Sequence, residues 1–124
     1  KELNSILKSI SIKRFENKFL AKVYQALRIE VNNEIDSLKQ LLCELPNILN
    51  KNGRVVFITY HSVEDRLVKR FFKNGSFEKE PEKDRFGNMN LKFKIDFKFK
   101  TPSDEEIKSN HRSRSAKLRA AIKL

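Results

Sequence analysis

The chain has 124 residues with a single cysteine, and its 27 lysines and arginines against 16 acids give a formal charge of +11. That length suits one domain with a modest core. The lone cysteine excludes a disulfide framework or a cysteine-based zinc site within one chain, no apolar run approaches the ~18 residues a membrane helix needs, and nothing resembles a signal peptide.

Such a basic excess favours a polyanionic partner, and nucleic acid is the first candidate. Lysine supplies more of it than arginine, which fits a solvated, soluble surface equally well. Cys43 falls on the apolar side of a predicted helix, which reads as a packed small hydrophobe and fits a reducing cytoplasm.

In chain order, Leu3, Ile6, Leu7 and Ile10 share one side of a predicted helix over residues 2–10, and residues 11–21 read as irregular and basic. From 22 to 45 the positions Tyr24, Leu27, Val31, Ile35, Leu38, Leu42 and Leu45 recur at steps of three and four. That spacing predicts one long amphipathic helix, ended by Pro46, whose stripe packs on a sheet or serves a dimer. Gly53 then opens a buried strand over 54–60, built on Val55-Val56-Phe57-Ile58.

A helix from Ser62 to Lys73 follows at once, with Val63, Leu67, Val68, Phe71 and Phe72 as its buried side. Ser62 is its expected N-cap, Glu64 and Asp65 place acid in the first turn, and Lys69, Arg70 and Lys73 place base in the last. Residues 74–90, with Gly75, Pro81 and Gly87, read as an exposed loop. Residues 91–100 alternate strictly, and predict a half-buried strand with phenylalanines on one face and mostly lysines on the other. Thr101 or Ser103 caps a short helix, and Ser115 to Leu124 gives a final strand.

The segment Tyr60-His61-Ser62-Val63-Glu64-Asp65-Arg66 is where a strand hands polar side chains to the edge of a sheet just as a helix begins. α/β enzymes present their chemistry at such corners, although these residue types also serve simply to cap a helix. Two further blocks accompany it: Tyr24-Gln25-Ala26-Leu27-Arg28-Ile29-Glu30-Val31-Asn32-Asn33-Glu34, and Thr101 to Ile107 running on to Arg112-Ser113-Arg114-Ser115-Ala116-Lys117-Leu118-Arg119.

In that order, with Gly53-Arg54 leading into the apolar strand, the three blocks resemble the carboxyl-terminal half of the bacterial small-subunit ribosomal RNA cytosine-N4 methyltransferases, the MraW family, over roughly residues 22–124. Two stretches depart from the family pattern: Phe19-Leu20-Ala21-Lys22-Val23 precedes the first block, and His111 stands where proline is common.

The resemblance implies an α/β fold, the closing part of a class I, Rossmann-like sheet, with residues 54–60 as a parallel strand and 91–100 with 115–123 as an antiparallel terminal pair. Residues 1–21 would then be the exit of a missing inserted subdomain, and 22–124 the carboxyl-terminal portion of the methyltransferase domain. It also implies a reaction: methyl transfer from S-adenosylmethionine to N4 of a cytidine in the decoding region of 16S rRNA, within the small ribosomal subunit. His61, Ser62 and Glu64 become candidates for the cytidine pocket, and Arg28, Asn32, Arg66, Arg112, Arg114 and Lys117 for RNA contacts.

Proteins of this kind hold the cofactor with a glycine-rich loop and acidic residues after their first strand. Here Gly53, Gly75 and Gly87 form no Gly-x-Gly pattern, so no cofactor-binding residue and no metal ligand is assigned. The expectation is a carboxyl-terminal piece of a longer enzyme, inactive alone, with an open sheet edge that drives self-association or dimerisation. The alternative from another class is a non-catalytic basic RNA- or ribosome-binding module, and a third is a dimerisation domain built on the long helix.

Overall fold

The computed structural model describes residues 2–11, 13–77, 85–86 and 91–124, and its two compact units comprise residues 1–38 and 39–124.

In the first unit, α1 (Glu2–Ile10) matches the expected helix. The segment expected to be irregular instead holds a 3-10 turn, Lys13–Phe15, and the start of α2 (Glu16–Val31), which runs through residues 21 and 22 without a break. Lys8 Nζ sits 3.2 Å from Glu16 Oε1, and the Tyr24 hydroxyl donates to Asn4 Oδ1. The single long helix is also corrected. It stops at Asn32-Asn33, where Asn33 takes φ +52°, and α3 (Glu34–Ile48) begins afresh. Asparagine enters the left-handed region more readily than most residues, so the helical period survives a break in the helix.

Pro46 lies inside α3 rather than ending it. Lacking an N–H, it costs one internal bond near the end of the helix. The last carbonyls are satisfied from elsewhere: Lys123 Nζ donates to Pro46 O and Leu49 O, each at 2.6 Å. Cys43, expected to be packed, is exposed. Leu42 and Leu45 define the buried side of α3, and Cys43 lies about 100° round from Leu42.

The second unit is a three-stranded sheet in the order β1-β3-β2, with β1 Arg54–Thr59, β2 Phe93–Lys100 and β3 Lys117–Lys123. β3 pairs antiparallel with both neighbours. The terminal pair forms as expected, but every pairing among the described residues is antiparallel, so β1 has no parallel neighbour here. Gly53 closes the turn into β1; a Cβ there would meet Asn50 O at 2.7 Å.

α4 (Ser62–Asn74) covers one face of the sheet, and ends at Gly75 in the left-handed conformation, φ +71°. Val68, Phe71 and Phe72 pack with Phe93, Ala120, Ala121, Leu42 and Leu45 as the core. Val63, expected to be buried, is exposed. Residues 78–84 and 87–90 of the predicted loop, Pro81 and Gly87 among them, lie outside the described residues.

β1 was expected to be buried throughout, but its accessibility alternates. Phe57 meets Phe72 at 5.9 Å between ring centroids, and Thr59 bonds to Asp65, both on the α4 side. Val56 and Ile58 face the other way, 51% and 56% exposed.

The strict alternation of β2 is broken by two irregularities. Ile95 stands opposite Ala121 and Phe97 opposite Ala120, and a second extra residue separates Phe97 from Lys100 opposite Leu118. A bulge of this kind shifts the phase of side chains along the strand. The expected segregation of lysine from phenylalanine therefore fails: Lys100 Nζ lies 5.1 Å from the Phe97 ring centroid. Arg54 of β1 and Asp96 of β2 meet at 3.1 Å across the central strand.

Candidate functional site

The carboxyl end of β1 turns into α4 through Tyr60 and His61. His61, not Ser62, is the N-cap: its backbone is extended and its Nδ1 accepts from Glu64 N–H at 3.5 Å. Glu64 reaches back, and its Oε2 accepts from Tyr60 N–H at 3.2 Å. This is the reciprocal logic of a capping box, with imidazole in place of a hydroxyl. His61 Nε2 also lies 2.9 Å from Glu64 Oε1, close enough to pair when the ring is protonated but without the alignment of a hydrogen bond. A hydrogen-bonded Nδ1 acceptor puts the neutral ring's proton on Nε2. The corner thus offers an imidazole and a carboxylate side by side, and Ser62 sits exposed at the first helical position.

One residue further on, Asp65 anchors the corner to the sheet. Arg119 Nε donates to Asp65 Oδ1 at 2.7 Å and Nη2 to Oδ2 at 3.1 Å, a two-pronged pair with both residues buried. Arg119 Nη1 also donates to Lys98 O at 2.6 Å. Lys117 Nζ stands 3.5 Å from Asp65 Oδ2, and Thr59 Oγ1 donates to Asp65 Oδ1 at 3.5 Å. The Arg119 hydrogen bond, with the charges of Arg119 and Lys117, holds the Asp65 carboxyl below its ordinary range against the opposing effect of burial. Phe99 backs this cluster, its ring centroid 5.4 Å from the Arg119 guanidinium and 5.6 Å from Lys117 Nζ.

Of the sequence-predicted residues, His61 and Glu64 come together and Lys117 lies just behind them, engaged by Asp65. Arg66 is exposed on α4. Arg112 and Arg114 are exposed on a 3-10 turn, His111–Ser115, and Arg114 Nη1 is 3.3 Å from His111 Nε2. Arg28 and Asn32, in the first unit, both turn to Glu34: Arg28 Nε is 2.9 Å from Oε1, and Asn32 Nδ2 donates to Oε1 at 3.1 Å.

Arg119 was missed as a site residue, although it is the main partner of Asp65. The signal was present: a lone arginine among Leu118, Ala120, Ala121 and Ile122 must find a buried partner, and Asp65 is the acid one turn into the facing helix.

The chain matches the MraW methylase family over residues 1–124. It is 54% identical over 123 residues to the "Ribosomal RNA small subunit methyltransferase H" of Christiangramia forsetii, covering 99% of this chain and 41% of the relative. The protein of the same name from Flavobacterium johnsoniae gives the same figures, and that from Parabacteroides distasonis is 52% identical over 120 residues, 96% of this chain and 39% of the relative. The chain therefore spans about two fifths of the length of the relatives it matches, and among the described residues no helix is long and apolar enough to cross a membrane. A family match over its whole length and relatives identical at half their matched positions place this chain in the MraW methylase family.

Proposed function

We propose that this chain is the carboxyl-terminal segment of a cytoplasmic rRNA methyltransferase that transfers a methyl group from S-adenosylmethionine to N4 of a cytidine in the decoding region of 16S rRNA, in the small ribosomal subunit. Residues 22–124 belong to its methyltransferase domain and 1–21 to the exit of an inserted subdomain. The order β1-β3-β2, with α4 joining two strands that run the same way on either side of β3, suits the end of a Rossmann-like sheet. The observation that carries the reading is the His61–Glu64 corner at the carboxyl end of β1, where such sheets present substrate-binding groups.

The N4 amine is a weak nucleophile because its lone pair is delocalised into the ring. Hydrogen bonds that localise that pair and receive an N4 proton lower the barrier, as does fixing the base in line for attack. Glu64 is the acceptor for the amine, His61 holds Glu64 and the base in place, and Ser62 contributes its hydroxyl at the rim. The base must leave its stack to reach them. Arg66, Arg112, Arg114, Arg28 and Asn32 serve the RNA backbone, and Lys117 divides its charge between Asp65 and phosphate.

S-adenosylmethionine supplies the electrophilic methyl group. The residues present do not fit its site: Gly53 closes a tight turn and Gly75 caps α4, so neither opens a cofactor loop. We assign that site to residues outside this sequence, which makes the segment inactive alone. Calorimetry should detect no binding of S-adenosylmethionine by the isolated chain, and micromolar binding would show the donor site to be misplaced. The reading as an enzyme is tested by methylation with a His61 variant, set out at the end of the Discussion.

A further inference from the structure

Beside the corner, where the ends of β1, β2 and β3 meet α5 (Asp104–Ser109), lies a groove of ≈ 260 Å³. Its apolar floor is Ile58 and Leu118, and Tyr60, 56% exposed, forms a wall. The Tyr60 N–H is held by Glu64, which ties the base of this ring to the corner. Among the polar residues that line the rest are Lys100, whose ammonium rests 5.1 Å from the Phe97 ring, Glu106 and Asn110. Asn110 Oδ1 already accepts from Arg112 N–H at 3.2 Å, so its Nδ2 is the group left to donate into the groove.

We infer that this groove is a subsite for one unpaired nucleotide of RNA, the neighbour of the nucleotide presented at the His61–Glu64 corner. An aromatic wall over an apolar floor is the surface on which an unstacked base rests. The groove takes one base with part of its ribose and excludes a duplex. Lys100 supplies the cation for the adjoining phosphate, and the positive charge of the whole chain favours such a ligand. Glu106 repels phosphate but accepts from an exocyclic amine, while Asn110 Nδ2 donates to a ring nitrogen or carbonyl. Together they complement cytosine or adenine, and oppose uracil, which offers a carbonyl oxygen where the amine would be.

This inference rests on the proposed RNA substrate, but its readout needs neither methyl donor nor methylation. The chain has two tyrosines and no tryptophan, so a Tyr24→Phe background leaves Tyr60 as the sole reporter. Titration with short unstructured oligocytidylate should quench Tyr60 emission saturably, and oligouridylate should bind about tenfold more weakly. In anisotropy with a labelled oligocytidylate, Tyr60→Leu and Lys100→Ala should each weaken binding roughly tenfold with unchanged circular dichroism, and Glu106→Gln should abolish the preference for cytosine.

Absence of binding, binding without quenching, equal affinity for the two oligonucleotides, or unaltered binding by Tyr60→Leu would each overturn the subsite. Such a failure alongside loss of methylation in a His61 variant leaves the methyltransferase reading standing. Quenching without any such methylation would sink that reading instead.

Discussion

Arg119 Nε lies 2.7 Å from Asp65 Oδ1, joining the central strand of the sheet to the first turn of the helix that carries the corner. Both residues are buried, so each leaves the other uncompensated when removed. Arg119→Met and Asp65→Asn should each destabilise the chain by roughly 3–5 kcal/mol in urea unfolding, and the double variant by much less than the sum. Additive losses would mean that the two side chains act separately.

The same pair fixes the direction of the acid response. The folded Asp65 carboxyl is held below its ordinary range, so its contribution is fully present above the unfolded carboxylate value of about 4 and is lost as pH falls through the folded one. In Arg119→Met the buried carboxylate loses its main partner, and protonation relieves it. The stability gap between the original chain and Arg119→Met should narrow as pH drops from 6 to 3. A gap independent of pH would show that the Arg119 contribution does not run through Asp65.

For RNA, the structure separates three cations that look alike in sequence. Arg112 and Arg114 are exposed on the 3-10 turn, whereas Lys117 is engaged by Asp65. Neutralising all three in the complete enzyme should weaken ribosomal substrate binding and flatten its salt dependence, with Lys117→Gln contributing least. Each lost phosphate contact lowers the slope by roughly 0.7–0.9. An unchanged slope would identify them as ordinary solvated charges.

Self-association is the expected outcome of the partly uncovered apolar face of β1. Val56 and Ile58 are about half exposed, and in the first unit Ile6, Ile10 and Val31 are exposed as well. Covering such side chains is worth up to roughly 1.5–3 kcal/mol each, large against the stability of a domain this size. Light scattering at tens of micromolar should report a dimer or larger species, and Val56→Lys with Ile58→Lys should reduce it. A monomer with sharp amide resonances would contradict this.

The elements that the sequence predicts best are those whose side chains decide them locally. Leu3, Ile6, Leu7 and Ile10 mark α1, and the Tyr60–Arg66 corner marks the start of α4, because period and capping chemistry are both near-neighbour properties. The break at Asn33 was hidden because the apolar period runs straight across it, and only the left-handed backbone of one residue interrupts the helix. The bulges in β2 were equally hidden, since register is set by β3 rather than by the alternation of Leu91 to Lys100 itself. At the site, His61, Ser62 and Glu64 were legible as a polar cluster at the strand end, but the capping contact of His61 with Glu64 was not, because serine, as at Ser62, is the commoner cap. Arg119 and Asp65, 54 residues apart, meet only through the pairing of β3 with β1 and the seating of α4. The groove residues Tyr60, Lys100 and Asn110 come together for the same non-local reason.

The most direct test of the proposed function is the N4-methylcytidine content of small-subunit rRNA after incubation with S-adenosylmethionine and the complete enzyme carrying this segment, read by mass spectrometry of its nucleosides. His61→Ala should lower the rate of methylation roughly 10- to 100-fold, the value of one well-placed polar contact at the transition state, with fold and donor binding intact. Unchanged turnover by an equally stable His61→Ala variant would return the corner to a capping role and contradict the assignment.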